Sequence, residues 1–212
     1  MGSLSVSFVF LGVFTLILHE SKGDNTLKEF PIDKQHHIQN SEVKKLLQEQ
    51  VSAELNASLV YLTMAAHFGN EKKNRPGFNQ FFAKCAQEEF EHAQMFISYM
   101  NKRGVPLVKE NFKMENPSKF TWKHGLEALE EALKMEGEVT VLIKRIHEKA
   151  DGDGHLTNFL ESEFLEEQVD SMRRLSGYVH NLRSMAVTTP PAYDMLSEYL
   201  FDLQLQGKKL EL

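Results

Sequence analysis

Apolar residues recur every three or four positions along most of the chain, and four long stretches keep that rhythm between Gly-, Pro- and Asn-rich breaks. The spacing predicts a first helix from about Ser41, a capping residue type, to Phe68, stopping at Gly69-Asn70. A second follows Arg75-Pro76-Gly77 and ends before Gly104. A third runs from about Thr121 to Ala150, ahead of Asp151-Gly152-Asp153-Gly154, and a fourth from about His155 to Ala186. Beyond Pro190-Pro191 a short fifth helix carries Met195, Leu196, Tyr199, Leu200 and Leu203. No run alternates with period two for long enough to read as a strand. The link from Gly104 to Phe120 is long and has no helical stripe, and a structureless loop of that length in a compact domain needs a purpose. A crossover between parallel second and third helices is such a purpose. The expected fold is all-α: a four-helix bundle with one long crossover and a short fifth C-terminal helix.

Each of the four long stripes is broken near its middle by polar residues on the inward side. Glu54 and Tyr61 lie seven apart on the first helix, about two turns, and share a face. Glu89 and His92 lie three apart on the second and are neighbours. Glu136 interrupts the third, and Gln168 the fourth. Three carboxylates converging in one bundle repel one another, and desolvating each costs several kcal/mol. Raised pKa values are one relief; a bound cation is another. Carboxylates with one imidazole suit hard or borderline metals such as iron or manganese. The unit Glu89-Phe90-Glu91-His92 is the E-x-x-H element of dinuclear carboxylate proteins, but it occurs once. Glu167-Gln168 stands where a symmetric site would carry the second. The predicted site is therefore lopsided, with one metal position poor in protein ligands, an arrangement suited to metal in transit.

Composition narrows the picture further. The chain has 212 residues, 42% hydrophobic and 25% charged, with a net charge of -6. It thus lacks the basic footprint that nucleic-acid binding needs. A lone cysteine, Cys85, excludes an intrachain disulfide framework and any CxxC motif; its place on an apolar stripe marks it as a small core residue. The uncharged run from Leu4 to Leu18 is too short to span a bilayer and exits through Ser21 and Gly23. That pattern predicts a secretory signal peptide over 1–23, no membrane anchor after its removal, and a protein that is secreted or held in the lumen of the secretory pathway. An N-terminal extension over 24–40, a bundle domain over 41–206 and a tail over 207–212 complete the division. Asn56-Ala57-Ser58 is an N-glycosylation sequon, and Asn56, about 200° around the helix from Glu54, is expected to face outward.

The stretches that carry this chemistry resemble those of ferritin subunits of the heavy, iron-oxidising type. They are Glu54-Leu-Asn-Ala-Ser-Leu-Val-Tyr61, Glu88-Glu-Phe-Glu-His92, Ala-Leu-Lys-Met-Glu136, Phe-Leu-Glu-Ser-Glu-Phe-Leu-Glu-Glu-Gln168 and the tail Ser-Glu-Tyr-Leu-Phe-Asp202. The resemblance implies a cage of 24 subunits, of one or more types, that oxidises Fe(II) with O2 at a di-iron centre and stores a ferric mineral. It implies that Glu54 and His92 hold the first iron, Glu89 bridges, Glu136 helps hold the second, and Tyr61 and Gln168 hydrogen-bond nearby. It places Glu88 and Glu91 on the mineral-nucleating surface, and His147, Asn158 and Glu161 at the iron entry channel. Asn158 stands where an aspartate is usual in that channel, which weakens the cation funnel. Two readings from other classes share part of this pattern. A secreted four-helix cytokine has no use for the aligned inward carboxylates, and a di-iron oxygenase calls for a second E-x-x-H and a substrate pocket.

Overall fold

A computed structural model describes residues 34–186 and 193–208. The expected signal peptide, most of the N-terminal extension and the last four residues lie outside them. Helix α1 is Ser41–Gly69, α2 Pro76–Lys102, α3 Gly125–Lys149, α4 Gly154–Leu160, α5 Glu166–Ala186 and α6 Tyr193–Leu205. A single π-helical turn, Glu161–Leu165, joins α4 to α5, so the predicted fourth helix is continuous but locally widened. Among the described residues there is no strand. The chain is all-α, as the apolar rhythm predicts.

Three helix starts differ from the sequence expectation, and the simplest is α2, which already begins at Pro76 inside the Arg75-Pro76-Gly77 break. Asn40, not Ser41, caps α1: its side-chain oxygen accepts from the amides of Glu42 at 2.9 Å and Val43 at 3.3 Å. The third helix starts at Gly125 and not near Thr121, with His124 Nδ1 accepting from Glu127 N at 3.2 Å. The residues before it are held by tertiary contacts instead. Trp122 donates through Nε1 to Glu131 at 2.9 Å, and its carbonyl lies 2.9 Å from His67 Nε2.

Helix α1 packs on α2 and α3, α3 packs on α5, and ring contacts from α2 to the fourth helix, Phe81 to Tyr178 and Phe96 to Phe164, close the four-sided bundle. Its core has two apolar halves. One holds Leu47, Val51, Phe96, Ile143 and Phe164; the other holds Met64, Phe68, Phe78, Phe82 and Leu129. Stacked rings organise both, with Phe96 and Phe164 centroids 4.1 Å apart in the first and Phe68 and Phe78 5.0 Å apart in the second. Polar side chains are buried where the halves meet.

The long crossover is seated on α1 by three residues one turn apart. Gln48 Oε1 accepts from Val108 N at 2.8 Å, Ser52 Oγ from Lys113 N at 3.0 Å and Asn56 Oδ1 from Glu115 N at 2.9 Å. The i, i+4, i+8 spacing aims all three along one side of α1. Asn56 does point away from the bundle centre, but the crossover covers it. Helix α6 is fixed by two buried carboxylates at the N-termini of other helices. Asp202 Oδ1 accepts from Phe78 N at 3.0 Å, and Glu198 Oε2 from Gly125 N at 2.7 Å.

Candidate metal centre

Glu54 and Tyr61 come from α1, Glu89 and His92 from α2, Glu136 from α3 and Gln168 from α5, and the structure brings all six together. Glu54 and Tyr61 are 0% exposed, Gln168 1%, Glu136 3% and Glu89 4%. Glu54, Tyr61, Glu89 and Glu136 sit mid-helix and Gln168 just past the π turn, where the backbone satisfies itself and the side chain alone faces the core. Glu54, Glu89 and His92 each offer a ligand atom, and these atoms all lie within 4.8 Å of one another. His92 Nδ1 is 3.5 Å from Glu89 Oε2. Its ring is set edge-on to Phe164, 5.5 Å between centroids, a contact made by the residue inside the π turn. Gln50 donates to Glu54 Oε1 at 2.7 Å, whereas Glu54 Oε2 is buried without a hydrogen-bond partner. A buried carboxylate oxygen left open toward two further ligands suits a cation.

Glu136 lies near enough to Glu89 for their charges to interact and is held at both oxygens. Tyr61 donates its hydroxyl to Oε1 at 2.5 Å and Gln168 donates Nε2 to Oε2 at 3.2 Å. Thr140 Oγ1 in turn donates toward Gln168 Oε1 at 2.8 Å. Tyr61 and Gln168 thus fix the Glu136 carboxylate, which stands outside the three-residue group of Glu54, Glu89 and His92.

The electrostatics follow from burial. Glu54 is raised well above the usual carboxylate range, first by desolvation and then by the charge of Glu89. Glu89 is pushed up to about 8 by desolvation, with Glu136 adding to it. Burial and Glu136 also raise the Tyr61 phenol. Burial thus favours the protonated form of both Glu54 and Glu89 when no cation is present.

The remaining sequence-predicted residues lie outside the buried cluster. Glu88 is half-buried on α2 and paired with Lys84 at 3.0 Å, and the exposed Glu91 accepts from Gln87 at 2.8 Å. His147 Nε2 and Glu161 Oε1 are 2.6 Å apart on the chain surface, with Asn158 exposed one turn before Glu161. Three residues at the centre escaped the sequence reading as site members: Gln50, Thr140 and Glu167, whose Oε2 is 3.9 Å from His92 Nε2. Gln50 and Thr140 stand on inward stripes, so the signal was there: a buried amide or hydroxyl needs a partner, and the adjacent carboxylates supply it.

The chain matches the Ferritin-like domain over residues 44–185. It is 34% identical over 210 residues to a ferritin heavy chain of Trichoplusia ni, covering 96% of this chain and 98% of that one. It is 39% identical over 168 residues to a ferritin heavy chain of Papilio xuthus, covering 76% and 78% of the two chains.

The chain belongs to the ferritin family.

It is also similar to the soma ferritin of Lymnaea stagnalis, at 39% identity over 158 residues, 74% of this chain and 86% of the relative. The ferritin domain spans α1 to α5, so it includes every residue of the buried centre. Iron storage is the business of this family, and the cytokine and oxygenase alternatives give way to it. No helix among the described residues of this ferritin is long and apolar enough to cross a membrane.

Proposed function

We propose that this ferritin is a ferroxidase-active storage subunit, oxidising Fe(II) at the Glu54–Glu89–His92–Glu136 centre and keeping the ferric product as mineral inside a cage of 24 subunits. The observation that carries the reading is the convergence of Glu54, Glu89 and His92 within 4.8 Å beside a tethered Glu136. Two Fe(II) ions are the substrates. Glu54 and His92 bind the first, Glu89 lies between the two, and Glu136 binds the second. Binding releases the protons that Glu54 and Glu89 hold. Each Fe(II) then gives up one electron, and O2 takes both electrons with two protons to leave as hydrogen peroxide. Tyr61 and Gln168 keep Glu136 aimed while the charge on its metal changes. The ligand-poor second position lets Fe(III) depart as hydrolysed product toward the acidic surface of Glu88 and Glu91. His147 and Glu161 stand at the entry for Fe(II), with Asn158 giving a weaker cation funnel than an aspartate. The N-terminal 23 residues direct the chain into the secretory pathway and are then removed, which leaves the protein secreted or lumenal.

The test is aerobic Fe(II) oxidation by the mature chain beside Glu54→Ala and His92→Ala, with particle mass recorded. Rapid oxidation that both variants lose, on particles of 24 subunits, supports the reading. Equal rates in all three proteins would overturn the assigned centre, and a monomer would overturn the cage.

A further inference from the structure

The sequon Asn56-Ala57-Ser58 lies in mid-helix, and both of its chemically active side chains are engaged. Asn56 Oδ1 accepts from Glu115 N at 2.9 Å, and Asn56 Nδ2 donates to Lys113 O at 3.2 Å. Ser58 Oγ donates to Ala86 O on α2 at 2.6 Å. One side-chain amide thus holds the Lys113 carbonyl and the Glu115 amide together, so both backbone groups face α1. A side-chain amide that grips both does so along the edge bearing Oδ1 and the Nδ2 hydrogen beside it. A planar N-substituted amide places its substituent on that same edge, as the trans peptide bond does. A sugar on Nδ2 therefore replaces the hydrogen that the crossover uses.

We propose that Asn56 is a conditional N-glycosylation site, open only while the crossover is undocked, and that the glycan and the docked crossover exclude one another. In the transfer, an Nδ2–C1 bond forms to the first sugar of a lipid-pyrophosphate-linked oligosaccharide. The C1–O bond to the pyrophosphate breaks, the lipid pyrophosphate leaves, and one Nδ2 proton goes to solvent. The folded chain offers neither the free amide edge nor the free Ser58 hydroxyl that the sequon must present. Gln48 and Ser52 seat the same crossover about two turns and one turn earlier, so they guard Asn56 without belonging to the sequon. The biological weight of the site rests on the secretory reading above, but its closure by the crossover does not.

The experiment incubates the folded chain with a purified eukaryotic oligosaccharyltransferase and its lipid-linked donor, and reads the mass of the product and its sensitivity to an N-glycanase. The same chain partly unfolded in urea and a synthetic peptide of residues 50–62 are the positive controls. A Gln48→Ala/Ser52→Ala double variant loosens the crossover, and Asn56→Gln gives the blank. Modification of the peptide and the loosened chains is expected at least about tenfold above the folded wild type, because the peptide has no crossover and the double variant lacks two of the hydrogen bonds that seat it. Equal modification of folded and unfolded wild type would overturn the proposal, as would a folded double variant no more reactive than wild type. Should the double variant not fold, trypsin decides. Chain glycosylated while unfolded and then refolded is expected to be cut at Lys109 and Lys113 several-fold faster than unmodified chain. Equal cutting would show that glycan and docked crossover coexist.

Discussion

Tyr61 and Gln168 act on the centre through one carboxylate, and single-atom changes separate that role from packing. Tyr61→Phe keeps the ring against Phe82, 6.1 Å between centroids, and removes only the donor to Glu136 Oε1. A freed buried acceptor costs about 1–3 kcal/mol. The expected result is a native helical spectrum, with Fe(II) oxidation slowed about tenfold, since the ligand to the second metal is no longer aimed. Stopped-flow oxidation beside circular dichroism checks it; an unchanged rate would reduce Tyr61 to a core residue. Gln168→Glu exchanges a donor for a second charge 3.2 Å from Glu136. The metal-free protein should then melt earlier, by an amount on the order of 1–3 kcal/mol for a buried like-charge pair. With Zn(II) as a redox-inert probe the order should invert, because the added carboxylate becomes a ligand. Melting curves with and without Zn(II) measure both signs, and a variant that melts earlier in each condition would place Gln168 away from the metal.

At the scale of elements, α6 holds the bundle through helix termini as well as through Phe201 on its apolar face. Arg75, at the N-cap position of α2, makes no side-chain capping bond, and Asp202 caps that terminus from the far end of the sequence. Asp202→Ala is therefore expected to lower stability by about 1–2 kcal/mol, the usual effect of losing an N-cap. The measurement is urea unfolding of the full chain. Gly77→Ala is the steric counterpart, since its Cβ would sit 2.1 Å from the Asp202 carbonyl oxygen; it should unlatch α6 at least as strongly. The sequence carried the helices and the inward placement of Glu54, Glu89, His92, Glu136 and Gln168, because a 3.6-residue period reports a buried face directly. It could not carry which of two adjacent capping types, Asn40 or Ser41, makes the bond, because that depends on where the backbone leaves the helix. The π turn at Glu161–Leu165 was equally hidden. It widens α5's entry so that Phe164 stacks on Phe96 and walls His92, a packing result with no local signature. The seat of the crossover on Gln48, Ser52 and Asn56 joins residues more than 50 apart in sequence, beyond the reach of any periodicity.

For the whole molecule, the centre makes stability depend on pH and on cations in opposite senses. Glu54 and Glu89 both titrate above the usual carboxylate value in the folded chain, Glu89 near 8, chiefly because burial disfavours their charge. In the unfolded chain both ionise around pH 4.3. Between those limits the folded state binds more protons than the unfolded one, so the metal-free protein should lose stability as pH rises from about 5 to 8, at up to 1.4 kcal/mol per pH unit for each proton retained. Below about pH 4 the two states are alike at these groups and the contribution is fully present. A divalent cation reverses the slope, because it binds the deprotonated folded site and has no assembled site in the unfolded chain. Melting temperatures measured from pH 5 to 8, in chelator and in Zn(II), should therefore diverge as pH rises. A Glu54→Gln/Glu89→Gln variant removes the retained protons and two of the three clustered ligands, so its two curves should run together and flatter than the wild type in chelator. Parallel wild-type curves would mean that the cation binds elsewhere. A divergence that the double variant keeps would mean that His92 and Glu136 suffice to hold it.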